Sequence, residues 1–593
     1  MKRVLIRSIV PAIAAAAIPV AIGGSVMANS SLFIAYPPET HDTTSDRIFI
    51  IGTADPTGAV TVNGTPVDRS AAGHFAPSFP LTVGENRFEV RYGDRAVSLT
   101  VVRRSPTPNL PQGVGFAAGS LQPSRDIARM PGELVCFSAI APTGDDTSAR
   151  VRVGDRTVAL LPDTASRPLP ENFAVLVGQN QPLPVSPSAA TYRGCTQFET
   201  PGSWGRPVFE LQVGGETATQ PAGGAIEILP RDAVLAAEVV AEEAIARTGP
   251  STAHSRLTPL PKGTRARVTG KEGDWLRLDY GAWIRSEEAR TFRSGVPPQS
   301  IVRSVSARHG DRWTEVRFPL ETPVPVSVEQ EGDRLTLALY NTIAQTDFIA
   351  FDADPWVEGM TWQQTTPTQA RYQFQFRSSQ QWGYKLRYDD TTLVLSLRHP
   401  PEMSPTQPLA GTTILLDPGH GGPEDLGARG PTGTPEKEVT LEVGLLLRDE
   451  LERRGATVVL TREGDVDLWP HDRVAIIEKV EPTLALSLHY NALPDNGDAE
   501  NTAGIGTFWY HPQARDLASF LYRHLIDDLD RPEYGVFWAN FALTRPTVAP
   551  SVLLELGFVI NPEEFEWIVD PQAQQALAVS LADGIEAWLR ERR

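Results

Sequence analysis

Cysteine is nearly absent from this chain: Cys136 and Cys195 are the only two in 593 residues. That excludes a cysteine-built zinc module. In an exported protein the pair is expected to form one disulfide, whose long loop would contribute about 4 kcal/mol; two free buried thiols are the alternative. Positive charge is also short, with 54 Lys and Arg against 72 Asp and Glu and a formal net charge of −18. Such a balance argues against nucleic acid as a partner and gives no pull towards an anionic membrane. Beyond the first residues no apolar run is long enough to span a bilayer. Proline and glycine are plentiful (51 and 48) and fall mostly before residue 410, as short strands and turns require.

So long a chain exceeds one core, and roughly three to five domains are expected. Lys2, Arg3 and Arg7 precede an uncharged stretch, Ser8 to Met27, and Val26-Met27-Ala28 offers small residues for cleavage. Pro11 and Pro19 weigh against a stable spanning helix, so 1–28 is read as a signal peptide for export to the periplasm or cell envelope.

The fold class expected is multidomain: several small all-β domains followed by a C-terminal α/β domain with a mixed sheet flanked by helices. Residues 31–104 read as an immunoglobulin-like sandwich, with Asn63-Gly64 suited to a type I′ hairpin turn. Ser105 to Gln112 is a proline-rich linker, and 113–229 is β-rich without a sharper signature. Within 231–292, Gly273-Asp274-Trp275-Leu276 and Gly281-Ala282-Trp283-Ile284 resemble the bacterial SH3-like domain. That resemblance implies a module that often binds cell-wall peptide; alternatively Trp275 and Trp283 simply fill a small barrel. Residues 299–398 read as a further sandwich, and its strand ending in Tyr340-Asn341 resembles the AMIN domain of envelope-targeted amidases. An extended linker, 399–410, leads to 411–593, where strand and helix alternate.

Chemistry concentrates in that last segment. His420 stands in Leu416-Asp417-Pro418-Gly419-His420-Gly421-Gly422, just after an apolar strand. Flanking glycines strip side-chain cover, so the imidazole faces a cleft, where it could bind metal, act as a base or bind an anion. Glu436 opens a helix after Thr434-Pro435, His489 ends the strand Leu484 to Leu488, and Glu555 ends Ser551 to Leu554. In an open α/β sheet such strand-end residues converge. Two imidazoles and a carboxylate suit Zn²⁺ with water as fourth ligand, leaving one carboxylate as general base. Singly, each has a plainer role: Glu436 can complement the helix dipole, and His489 can be a satisfied core histidine. Glu555, amid Val552-Leu553-Leu554 and Leu556-Gly557-Phe558, is costly to ionise unless it meets a cation or does chemical work.

Taken in order, the His420 motif, Glu436-Lys437, Ser487-Leu488-His489-Tyr490-Asn491-Ala492 and Leu554-Glu555-Leu556-Gly557-Phe558 resemble the zinc-dependent N-acetylmuramoyl-L-alanine amidase family, as do Leu460-Thr461-Arg462 and Asn561. The resemblance implies one Zn²⁺ in the catalytic domain held by His420, Glu436 and His489, and Glu555 as catalytic residue. It implies peptidoglycan as substrate, hydrolysis of the amide between the lactyl group of N-acetylmuramic acid and L-alanine, and an envelope activator or recruiting protein as partner. The sequence departs from the family at Val474-Ala475-Ile476-Ile477-Glu478, where relatives carry an Ala-Asn step. Only Leu493 to Gly504 follows the His489 motif before the next strand, so the helical plug of some relatives is not expected and restraint would fall to the N-terminal domains or a partner. Two rivals remain: a non-catalytic envelope protein and a zinc peptidase acting within the stem peptide.

Overall fold

Asn63 and Gly64 both take positive φ, 50° and 81°, and close the strands Val60–Val62 and Thr65–Pro66 as the type I′ turn requires. The structure, a computed structural model, describes residues 32–105, 110–163, 189–351, 353–404 and 406–592. The expected signal peptide and residues 106–109 of the proline-rich linker lie outside the described residues.

The architecture is mostly β, ending in a mixed sheet flanked by helices. The first unit pairs a five-stranded with a three-stranded sheet around Ile48, Val60, Phe75, Phe88, Val90 and Leu99. In the next, a six-stranded sheet sets Cys136 directly opposite Cys195 on antiparallel strands, and the two form a disulfide. An eight-stranded sheet then joins segments on both sides of residue 230. Ile127–Arg129 pairs with Ile226–Ile228 on one side and with Arg265–Glu272 on the other. Trp275 and Trp283 are buried here, with guanidinium groups over their rings: Arg285 over Trp275, Arg129 and Arg277 over Trp283. Neither indole is offered to solvent as a ready binding platform. Residues 300–398 form five- and four-stranded sheets enclosing Val316, Phe318, Leu337, Tyr372 and Leu395.

Strands and helices of the C-terminal unit are β1 (Thr413–Pro418), α1 (Glu436–Arg453), β2 (Thr457–Leu460), α2 (Pro470–Val480), β3 (Leu484–Asn491), β4 (Ile505–Trp509), α3 (Pro512–Leu529), β5 (Glu533–Trp538), β6 (Ser551–Phe558), α4 (Pro562–Ile568) and α5 (Pro571–Glu591). The sheet order is β2-β1-β3-β6-β4-β5. All pairs are parallel except β4 with β6, which makes the sheet mixed. Central strands such as β3 and β6 are apolar on both faces because helices cover both. Gly455 follows the α1 cap at φ 98°, the left-handed position of a C′ glycine.

The β units are docked on this domain. Arg398 donates to the carbonyls of Glu481 (2.9 Å) and Val548 (2.7 Å), and Lys385 ion-pairs with Glu481. Phe49, Ile51 and Ala76 of the first unit belong to the same core as β1, β3 and α5, and Leu409 of the linker is fully buried in it. The loop after β3 is held as well: His41 lies 2.9 Å from Asp495, and Tyr36 donates to the same carboxylate.

Candidate metal centre

β1 ends at Pro418, and the chain must turn before α1. His420 makes that turn with φ 57°, a left-handed conformation uncommon for a non-glycine residue. Gly419 is needed for closeness: a Cβ there would lie 2.3 Å from the His489 ring. β3 and β6 run two to three residues past the ends expected from sequence, so His489 and Glu555 sit inside strands. They are direct neighbours in register, on the same face of the sheet.

Glu436, the first residue of α1, is the hub. Its Oε1 lies 3.1 Å from His489 Nδ1 and accepts from the Tyr490 N–H at 2.9 Å. Its Oε2 lies 3.1 Å from His420 Nε2 and accepts from the Ala428 N–H at 3.0 Å. One donor atom from each of His420, Glu436 and His489 lies within 4.8 Å of the others. Glu436 is buried, while the two imidazoles are partly open to solvent, so the cluster can be reached from outside through its histidines.

Electrostatics follow from this packing. Burial would raise the Glu436 carboxyl, but hydrogen bonds from His420 and His489 outweigh it and hold the group well below the usual carboxylate range. Burial would lower His420, yet Glu436 and Asp425 outweigh it and push the imidazole up to about 9. Glu555 goes the other way: burial, with the charge of Glu436 added, drives its carboxyl well above the usual value. Glu555 Oε2 is sealed from solvent and has no hydrogen-bond partner.

A frame of three further side chains supports the cluster, and of these the sequence had marked only Arg462, without a role. Asp425 Oδ1 lies 2.6 Å from His420 Nδ1, fixing the ring so that Nε2 faces Glu436. A carboxylate on the far nitrogen of a metal-binding histidine is a recurrent orienting device; the acidic pair Glu424-Asp425, just past the glycines, was the available signal. Arg462 donates to the carbonyls of Pro418 and Gly419 (both 2.9 Å), and Arg473 to those of Pro418 (2.8 Å) and His420 (2.7 Å). These two buried cations hold the turn open. The departure at Val474 to Glu478 falls on α2, behind this frame.

Donor chemistry fits a divalent cation: two imidazoles and one carboxylate converge, and a partnerless carboxylate oxygen stands beside them. Fold and site together define an open α/β domain with a candidate metal centre near the strand ends. Residues 414–587 match the family described as N-acetylmuramoyl-L-alanine amidase. The chain is 34% identical over 207 residues to the germination-specific N-acetylmuramoyl-L-alanine amidase of Bacillus subtilis, covering 31% of this chain and 83% of that one. It is 35% identical over 183 residues to the probable cell wall amidase LytH of Staphylococcus aureus, covering 30% of this chain and 60% of that one. Among solved structures, the amidase AmiC2 of Nostoc punctiforme is 30% identical, over 30% of this chain and 97% of that one, with a TM-score of 0.29. The chain belongs to the N-acetylmuramoyl-L-alanine amidase family.

Proposed function

We propose that this protein is a zinc-dependent peptidoglycan amidase of the cell envelope. Its substrate is the amide joining the lactyl group of N-acetylmuramic acid to L-alanine. The observation that carries the reading is the partnerless Glu555 Oε2 beside the cluster centred on Glu436. His420, Glu436 and His489 would hold the cation. A bound Zn²⁺ supplies Lewis acidity, polarising a carbonyl and bringing the pKa of water to about 7. Ionised beside the bound cation, Glu555 would take a proton from the attacking water and deliver it to the leaving amine, so one amide and one water give a carboxylate and a free N-terminal L-alanine. Asp425 keeps the His420 ring in its working tautomer.

Membership of the amidase family supports the reaction, and two relatives so named match over most of this domain. No described helix is long and apolar enough to cross a membrane. In this reading 1–28 directs export, and the modules at 31–104, 113–229, 231–292 and 299–398 place or restrain the enzyme. The SH3-like and AMIN-like assignments belong to that proposal, as does an envelope activator.

The test is digestion of purified sacculi by the zinc-loaded chain, followed by mass spectrometry of the soluble products. Free stem peptides beginning with L-alanine, beside peptide-free glycan, are expected. Cleavage only within the stem peptide would replace the amidase with a peptidase.

A further inference from the structure

A second convergence of donors lies upstream of the cleft residues, in and just after the sandwich of residues 300–398. His309 ends the strand Ser300–His309, Thr314 lies on Trp313–Pro319, Asp354 precedes Val357–Thr366, and His399 directly follows Thr392–Arg398. One donor atom from each of His309, Asp354 and His399 lies within 4.8 Å of the others. His309 Nδ1 is 3.2 Å from Asp354 Oδ2, and the two imidazoles stack at 4.5 Å between ring centres. The Thr314 hydroxyl reaches into the same space. It lies 2.9 Å from His399 Nε2 and 3.5 Å from His309 Nδ1, and hydrogen-bonds Asp354 Oδ2.

The outward atoms are committed elsewhere. Asp354 Oδ1 accepts from the N–H groups of Trp356 (2.7 Å) and Val357 (2.9 Å), which turns Oδ2 inward. His399 Nδ1 faces the Asp311 carbonyl at 3.3 Å and must carry its proton there, leaving Nε2 as a lone pair pointing inward. His309 can donate its Nδ1 proton to Asp354. Thr314 has one proton for two acceptors, Asp354 Oδ2 and His399 Nε2. Whichever it serves, the other faces the hydroxyl oxygen at hydrogen-bond distance with no proton between them. Thr314, Asp354 and His399 are each less than a tenth exposed, so bulk water is a poor remedy. The cluster is one positive charge short.

We propose that His309, Asp354 and His399 form a second metal site, of the Zn²⁺ class, with the Thr314 hydroxyl or a water as fourth ligand. Two imidazole nitrogens and one carboxylate oxygen are a donor set Zn²⁺ takes. The Asp311 carbonyl on His399 is the orienting contact such ligands use. Its role is structural. His399 stands beside Arg398, whose guanidinium grips the Glu481, Pro482 and Val548 carbonyls of the C-terminal domain. A cation here ties the last strand of the sandwich to its Asp354 loop and stiffens the support of that grip. The proposal is independent of the catalytic reading.

The test is metal counting on the full-length chain, stripped with chelator, reloaded with Zn²⁺ and desalted. Two equivalents are expected for the parent chain and one each for His309→Gln, His399→Gln and His489→Ala. His309 is over a third exposed, so its exchange removes a ligand at little packing cost. Zn²⁺ should raise the melting temperature of His489→Ala, and the gain should vanish when His309→Gln is added. One equivalent in the parent chain, kept in His309→Gln and lost in His489→Ala, overturns the site: the cluster then holds a proton. One equivalent kept in His489→Ala but lost in His309→Gln upholds it and sinks the cleft as a metal centre.

Discussion

Arg473 donates to Asp417 Oδ1 at 2.6 Å, and both side chains are almost wholly withdrawn from solvent. Asp417 also accepts from Thr461 and Ser487, each at 2.6 Å, so α2, β1, β3 and the end of β2 meet at one carboxylate. Burial would raise that carboxyl, but Arg473 and the two hydroxyls outweigh it and keep it low. Arg473→Ala leaves the charge buried and unpaired. A loss of about 3–5 kcal/mol in folding stability is expected, measured by denaturant unfolding; a loss below 1 kcal/mol would mean that water replaces the guanidinium.

Glu555→Gln should separate chemistry from metal binding. Turnover on sacculi is expected to fall by about 10²–10⁴-fold, while zinc content measured by mass spectrometry stays at the parent value. Loss of zinc in step with activity would make Glu555 a ligand.

Asp425→Asn keeps the size of the side chain and removes its charge from His420 Nδ1. Zinc affinity of the cleft is expected to weaken by about 10–100-fold, read by competition with a chromophoric chelator. An unchanged affinity would leave Asp425 with a loop-closing role alone.

His511, at the N-cap of α3, donates Nε2–H to the Arg545 carbonyl at 2.8 Å, and burial pushes its imidazole down to about 4 against that bond. The unfolded chain, near 6.5, binds the proton first. Stability from this group is therefore complete above about pH 6.5 and lost as pH falls towards 4. Melting temperatures across that window should fall less steeply in His511→Gln, which keeps an N–H donor and cannot charge. Parallel curves would place the acid sensitivity elsewhere.

The four candidate residues were legible because each stands out locally: His420 follows a glycine after an apolar strand, Glu436 follows a proline that opens a helix, and His489 and Glu555 are polar residues in otherwise apolar strands. The cap at Gly455 and the turn at Asn63-Gly64 were legible for the same local reason. β5 was not, since Glu533–Trp538 is an edge strand carrying Gly535 and pairs only with β4. The antiparallel setting of β4 was hidden too, because side-chain alternation is blind to strand direction. Asp425 and Arg473 escaped notice, and Arg462 was named only as part of the family resemblance, because each acts on backbone carbonyls or on another side chain's far atom, and such roles leave no periodic trace.

The ladder across residue 230 has a bearing on inheritance. Ile127–Arg129 is hydrogen-bonded to Arg265–Glu272 in a shared sheet, and the Arg129 and Arg277 guanidiniums flank Trp283. A gene cut between the two halves would expose raw strand edges on both products, each a template for pairing with foreign chains. The strands on the two sides of residue 230 therefore complete each other's sheet, and a chain divided there is expected to aggregate before it could gain a new specificity.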